Sequence, residues 1–103
     1  MIESTLQLDG VSLDAENDRV TGPGGTYHLT PMECRLLEVL MLHPGQVVSR
    51  ASLMKYVWQT SYVDDTRTLE VHICTLRKKI ESDPGDPKYL RTVRGVGYVF
   101  VTE

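Results

Sequence analysis

An α+β fold is predicted for this 103-residue chain, with a four-stranded antiparallel sheet, three helices and a C-terminal β-hairpin. Three observations predict it. Short apolar–polar alternations separated by turn residues fill positions 6–28. Apolar residues then recur at helical spacing, with recognisable caps, from Thr30 to Glu81. Two short strand-like segments finally flank the glycine turn Arg94-Gly95-Val96-Gly97.

The elements follow in order. Leu6–Leu8 and Val11–Leu13 alternate around Asp9-Gly10, a hairpin signal because both residues tolerate positive φ. Asn17-Asp18 and Gly22–Gly25 bracket two further strands near Arg19–Thr21 and Thr26–His28. The run Gly22-Pro23-Gly24-Gly25 lacks the Lys-Ser/Thr of a phosphate-binding loop, so it reads as a turn. Helix 1 opens with Thr30 as N-cap, Pro31 at the first helical position and Glu33 completing a capping box. Leu36, Leu37, Leu40 and Met41 form its core stripe, and Pro44-Gly45 ends it. Ser49 caps helix 2, Arg50 to Trp58, which turns Leu53, Met54 and Val57 inward. A polar turn, Gln59 to Asp65, leads to helix 3, Thr66 to Glu81, with Asp65 as its cap. Asp83-Pro84-Gly85-Asp86-Pro87 stops that helix, and strands Tyr89–Val93 and Tyr98–Val101 follow. One domain, 6–103, is expected, with residues 1–5 disordered or extraneous.

Composition narrows the function. The 41% hydrophobic content suits a globular core, and no apolar run approaches a membrane span. No targeting segment is read before the first strand. Cys34 and Cys74 lack any CxxC or Cys/His partner set, so both are expected to be reduced in a cytoplasmic protein, without metal or other cofactor. No nucleophile–base pair can be assembled, and the Glu33/Glu38 and Asp64/Asp65 pairs read as surface and cap, so neither an enzyme nor a small-molecule substrate is expected.

The net charge of −3 hides a dipolar chain. Residues 1–66 carry four cations against nine acids, whereas residues 67–98 carry seven cations against four acids. Local charge, rather than the total, sets a binding field, although a basic segment can also be plain solvated surface. On helix 3, Leu69, Ile73, Leu76 and Ile80 form the core stripe. Arg67, Val71, Cys74 and Lys78 occupy the opposite side, with Thr75 beside them. Small residues let a helix approach base edges while flanking cations hold phosphates. Arg94, at the tip of a tight hairpin, can enter a narrow minor groove. The helix and tip together point to duplex DNA.

The residues Leu29-Thr30-Pro31-Met32-Glu33, Leu36-Leu37, Pro44-Gly45-Gln46-Val47-Val48-Ser49-Arg50, Arg67-Thr68-Leu69-Glu70-Val71-His72-Ile73, Leu76-Arg77-Lys78-Lys79-Ile80 and Arg91-Thr92-Val93-Arg94-Gly95-Val96-Gly97-Tyr98 carry a resemblance. In that order they resemble the DNA-binding effector domain of OmpR/PhoB-type response regulators, from Leu6 to Val101. The resemblance implies a winged helix (winged helix-turn-helix) that serves transcription in bacterial two-component phosphorelay signalling. It implies an N-terminal receiver domain in the full-length protein and binding to double-stranded DNA, generally at tandem half-sites. Helix 3 would enter the major groove and the C-terminal wing, residues 89–101, the minor groove.

By the same resemblance Arg67 and His72 match phosphate-holding positions. Cys74 and Thr75 match base- or phosphate-contacting positions, and Arg77 a further basic contact. Thr92 and Tyr98 match backbone contacts at the base of the wing, Arg94 the minor-groove arginine, and Trp58 an aromatic against the sugar-phosphate backbone. Gln59, Thr60, Ser61, Tyr62, Val63, Asp64 and Asp65 match a loop through which some members touch RNA polymerase. Trp58, His72 and Tyr98 also admit packing roles, and His28 and His43 look structural. Cys74-Thr75 lacks the fork of an arginine, so helix 3 is expected to read bases weakly. Thr75 could meet a thymine methyl, with Arg94, phosphates and DNA shape supplying the rest. A winged-helix module that binds protein, contacting RNA polymerase, is the alternative.

Overall fold

The computed structural model describes residues 5–59 and 67–102. Four strands open the chain: β1 (Thr5–Leu8), β2 (Val11–Asp14), β3 (Arg19–Gly22) and β4 (Gly25–His28). They form an antiparallel sheet in the order β1-β2-β3-β4. Leu6 pairs with Leu13 and Leu13 with Val20, so one face gathers the apolar side chains. Asp9 adopts φ 57°, as the Asp9-Gly10 turn requires. Thr5 pairs with Asp14, so β1 includes one residue before the Leu6 at which the alternation starts.

Helix α1 (Pro31–Met41) carries the anticipated capping box. The Glu33 N–H donates to Thr30 Oγ1 at 3.2 Å, and the Thr30 N–H donates to Glu33 Oε1 at 2.9 Å. Its inward face is Leu36, Leu37, Leu40 and Met41, all buried. A two-residue strand, β5 (Val48–Ser49), then leads into α2 (Arg50–Val57), capped by Ser49. Trp58 is the C-cap of α2, so that helix ends one residue earlier than expected. Helix α3 runs Arg67–Ile80. The proposed cap at Asp65 and the start at Thr66 lie outside the described residues.

Strands β6 (Leu90–Val93) and β7 (Gly97–Phe100) form the hairpin. Strand β6 starts one residue later than expected and ends at Val93 as expected, and β7 lies one residue earlier than expected at both ends. Strand β5, which the sequence does not predict, pairs with β7 through Val48–Tyr98 and Ser49–Gly97 to make a three-stranded sheet, β5-β7-β6. Gly97 is buried because β5 lies against it: a Cβ there would collide with the Val48 carbonyl oxygen. That contact, rather than turn flexibility, demands the glycine.

Helices α1 and α3 lie between the two sheets. Helix α1 meets β1, β2 and β7, and α3 meets β3 and β4. Leu13, Leu36, Leu53, Leu69, Ile73, Leu76, Leu90 and Phe100 are fully buried among them. The Gly22–Gly25 turn seats the end of α3. The Gly24 N–H donates to the Ile80 carbonyl at 3.3 Å, and a Cβ on Gly24 would press on the Glu81 carbonyl. The glycine-rich run therefore lets β3–β4 approach the helix.

Candidate nucleic-acid interface

The site is built from α3 and the β6–β7 hairpin. Leu69, Ile73, Leu76 and Ile80 anchor α3, as its periodicity predicts. This turns Arg67, Glu70, Val71, Cys74 and Lys78 to solvent, with Thr75 half-buried at the edge. Val71 is 62% exposed, unusual for a valine. It lines an open recess with Arg67, Thr68 and His72. Thr75 donates its hydroxyl hydrogen to the Val71 carbonyl at 3.0 Å. Its oxygen is left as an acceptor, so Thr75 and Val71 together offer methyl groups but no side-chain donor.

His72 is half-buried. Its Nδ1 lies 2.8 Å from the Thr68 carbonyl. A carbonyl only accepts, so Nδ1 carries the hydrogen. The ring meets Trp58 edge-on with centroids 5.1 Å apart. Trp58 also packs on the core, and this aromatic pair joins the end of α2 to α3.

The hairpin tip is a four-residue turn closed by Val96 N–H to the Val93 carbonyl at 3.0 Å. Gly95 occupies the third position with φ +78°, the signature of a type II turn. Arg94 precedes it and is exposed, as is Val96.

Arg77 has a different environment. Its Nε donates to the Leu90 carbonyl at 2.9 Å, and its Nη2 donates to Thr92 Oγ1 at 2.7 Å. Thr92 keeps its own hydroxyl hydrogen for another acceptor. Tyr98 is only 4% exposed, with the guanidinium carbons of Arg50 and Arg77 at 5.4 and 6.0 Å from its ring centroid. Neither Arg50 nor Glu81 was singled out from sequence, and both lie behind this face. Glu81 is 3% exposed, and its carboxylate accepts from the backbone N–H groups of Lys88, Tyr89 and Leu90. A single acidic residue after a basic helix carries no sequence signal for such a role.

Lys79, next to Lys78, is also committed within the fold. Its ammonium donates to the His28 carbonyl at 2.8 Å and to Glu33 Oε1 at 2.9 Å. Burial pushes the Glu33 carboxyl up, but the Thr30 N–H and Lys79 outweigh it and hold the group below its ordinary range. Cys34 and Cys74 differ sharply. Cys34 is buried, and its burial, reinforced by Asp18 and Glu38, pushes the thiol up to about 12, whereas Cys74 is exposed. Among the described residues no cluster of His, Cys, Asp or Glu is placed to hold a metal, and no helix is long and apolar enough to cross a membrane. Of the expected polymerase loop only Gln59 is described, with φ 55° as it leaves α2; Thr60 to Asp65 lie outside the described residues.

Residues 24–100 match the family model for the C-terminal domain of transcriptional regulatory proteins. The chain belongs to this family. It is an effector domain of the OmpR/PhoB response-regulator type, as the sequence resemblance implied, and its fold is the winged helix. It is 47% identical over 97 residues to a probable transcriptional regulatory protein of Picosynechococcus, covering 94% of this chain and 39% of that protein. It is 45% identical over 98 residues to the sensory transduction protein RegX3 of Mycobacterium tuberculosis, covering 95% of this chain and 43% of RegX3. The effector domain thus spans about two-fifths of these relatives. Among solved structures, the DNA-binding domain of Klebsiella pneumoniae RstA, in complex with the RstA box, superposes with a TM-score of 0.81 at 30% identity, over 94% of this chain and 96% of that one. The DNA-binding domain of Escherichia coli CpxR gives 0.78 at 33% identity, over 95% and 96%.

Proposed function

We propose that this effector domain binds duplex DNA with α3 in the major groove and the β6–β7 wing tip in the adjacent minor groove, to control transcription. The observation that carries this reading is the pairing of an exposed α3 face of small side chains and cations with a projecting Arg94. Both are presented by one buried core. In the proposed complex Arg67, His72 and Lys78 hold phosphates, and Val71, Cys74 and Thr75 face base edges. Thr92 donates to a phosphate, Arg94 enters the minor groove, and Trp58 packs along the backbone. The buried Tyr98 ring and the tethered Arg77 support the site from behind. The domain acts by binding rather than by catalysis, in the cytoplasm.

Operators are proposed to be tandem half-sites, as the resemblance to OmpR/PhoB-type effector domains implies. A receiver domain, present in the full-length protein, would bring two copies together. RNA polymerase is a second proposed partner, through the segment 59–65.

Selection of random duplexes by the purified domain tests the reading. The expected result is a recovered motif repeated about one helical turn apart. Neutralising about five phosphates gives a log–log salt slope near −4.5 on that motif. Recovery of no motif, with Arg94→Ala and Lys78→Ala leaving residual binding and slope unchanged, would reject the docking.

A further inference from the structure

Arg77 and Glu81 lie one turn apart at the end of α3, and both grip the same strand of the wing. Glu81 Oε1 accepts from the Lys88 N–H at 2.8 Å and from the Tyr89 N–H at 3.3 Å. Oε2 accepts from Tyr89 at 3.0 Å and from Leu90 at 2.8 Å. Arg77 meanwhile donates to the Leu90 carbonyl and to Thr92 Oγ1. Leu90 is therefore held at its C=O by Arg77 of α3 and at its N–H by Glu81, the residue that directly follows the helix. Its side chain is fully buried, and it pairs with Phe100 in β7. A carboxylate that satisfies three backbone donors in the interior is a strong and directional anchor. Hydrophobic packing alone would hold β6 against the core without fixing its slide along α3, because burial is non-directional.

We infer that Arg77 and Glu81 are positioning residues that lock the wing to the reading helix, so that Arg94 and the α3 face meet the two grooves as one rigid unit. The inference rests on the docking proposed above. It assigns Arg77 a role within the protein where the sequence resemblance assigns it a contact with DNA. It also gives Glu81 an effect opposite in sign to its charge. An acid beside a DNA-binding face repels phosphates, so neutralising it should strengthen binding if charge alone acts. Loss of the anchor should weaken binding instead, because the wing and α3 no longer share one register.

The test uses this domain and a duplex recovered by selection. Affinities are measured for the wild type, Glu81→Gln, Arg94→Ala and the double variant, with thermal melts alongside. Glu81→Gln is expected to weaken binding about tenfold, and that loss should largely vanish in the Arg94→Ala background, where the wing no longer contributes. A merely structural role would lower the melting temperature without this dependence on Arg94. The inference is overturned if Glu81→Gln binds as tightly as the wild type or tighter, or if its loss adds in full to that of Arg94→Ala. Should Glu81→Gln fail to fold, Arg77→Gln decides. In the Arg94→Ala background it leaves the salt slope unchanged if Arg77 only positions the wing, and reduces its magnitude by about 0.9 if Arg77 neutralises a phosphate. Failure of the wild type to retain any duplex overturns the docking and this inference together; retention with additive losses overturns the inference alone.

Discussion

Val71 is a large exposed apolar side chain on a helix face otherwise rich in charge, and its neighbour Thr75 has already spent its hydroxyl hydrogen on the Val71 carbonyl. A face with methyl groups and no donor there suits the C5-methyl of thymine better than the acceptors of guanine. Replacing one thymine of the selected site by deoxyuridine removes only that methyl. The expected loss is about fourfold, the worth of one buried methyl group, and Val71→Ala should abolish the difference between the two duplexes. Equal discrimination by wild type and variant would remove Val71 from base reading. The Glu33–Lys79 pair makes a separate prediction, about stability. The carboxyl of Glu33 is depressed in the fold, so its contribution is present above the ordinary glutamate value of 4.5 and is lost as pH falls through the lower folded value. Lys79→Met strands that buried carboxylate and should cost about 1–3 kcal/mol near neutral pH. Melting curves of wild type and variant should converge as the pH falls through the lowered folded value, below which the carboxyl is protonated in both. A gap independent of pH would show that the pair contributes through packing alone.

The two wing glycines separate turn geometry from packing. Gly95 stands at φ +78° with open space around it, so Gly95→Val strains the tip by about 1–3 kcal/mol without touching the core. DNA affinity should fall, measured by titration of the selected duplex, while the melting temperature changes little because the tip can fray. Gly97→Ala should do the reverse first: it drives a Cβ into the Val48 carbonyl, and calorimetry should show a clear loss of stability. Sequence patterns made most elements legible. The Thr30–Glu33 capping box, the Asp9-Gly10 turn and the four-residue stripe of α3 are local signals, and each is met. Strand β5 was not legible because two residues, one of them also the cap of α2, carry no periodicity. Its trace lies in Gly97, a residue that turn chemistry alone also explains. The candidate site was legible as far as exposure of a helix face goes: Arg67, Cys74 and Lys78 are exposed on α3, as its periodicity predicts. It was not legible where it depends on long-range partners: the tethering of Arg77 to β6, of Lys79 to Glu33 and of Glu81 to three backbone donors needs the tertiary fold.

At the scale of the whole molecule, an acidic half that holds the first sheet and a basic half that combines α3 with the wing divide the chain, and in the proposed docking the excess of cations over residues 67–98 faces the DNA despite a net charge of −3. Part of that basic charge is used internally, since Arg77 and Lys79 bind β6 and the α1 cap. The charge left to solvent is modest. Binding by one copy should therefore be weak, and a second copy on an adjacent half-site should raise the affinity. Cys74 reports directly on the central claim that the exposed face of α3 lies in the groove. It is solvent-exposed on that face, while the buried thiol of Cys34, pushed up to about 12, stays silent at neutral pH. The decisive measurement is the rate at which iodoacetamide alkylates Cys74 in the free domain and in the domain saturated with the selected duplex. Slowing by at least about tenfold on the duplex, with no protection from a scrambled duplex at the same salt, is the predicted result. An unchanged rate while the duplex is demonstrably bound would place α3 outside the groove and contradict the account.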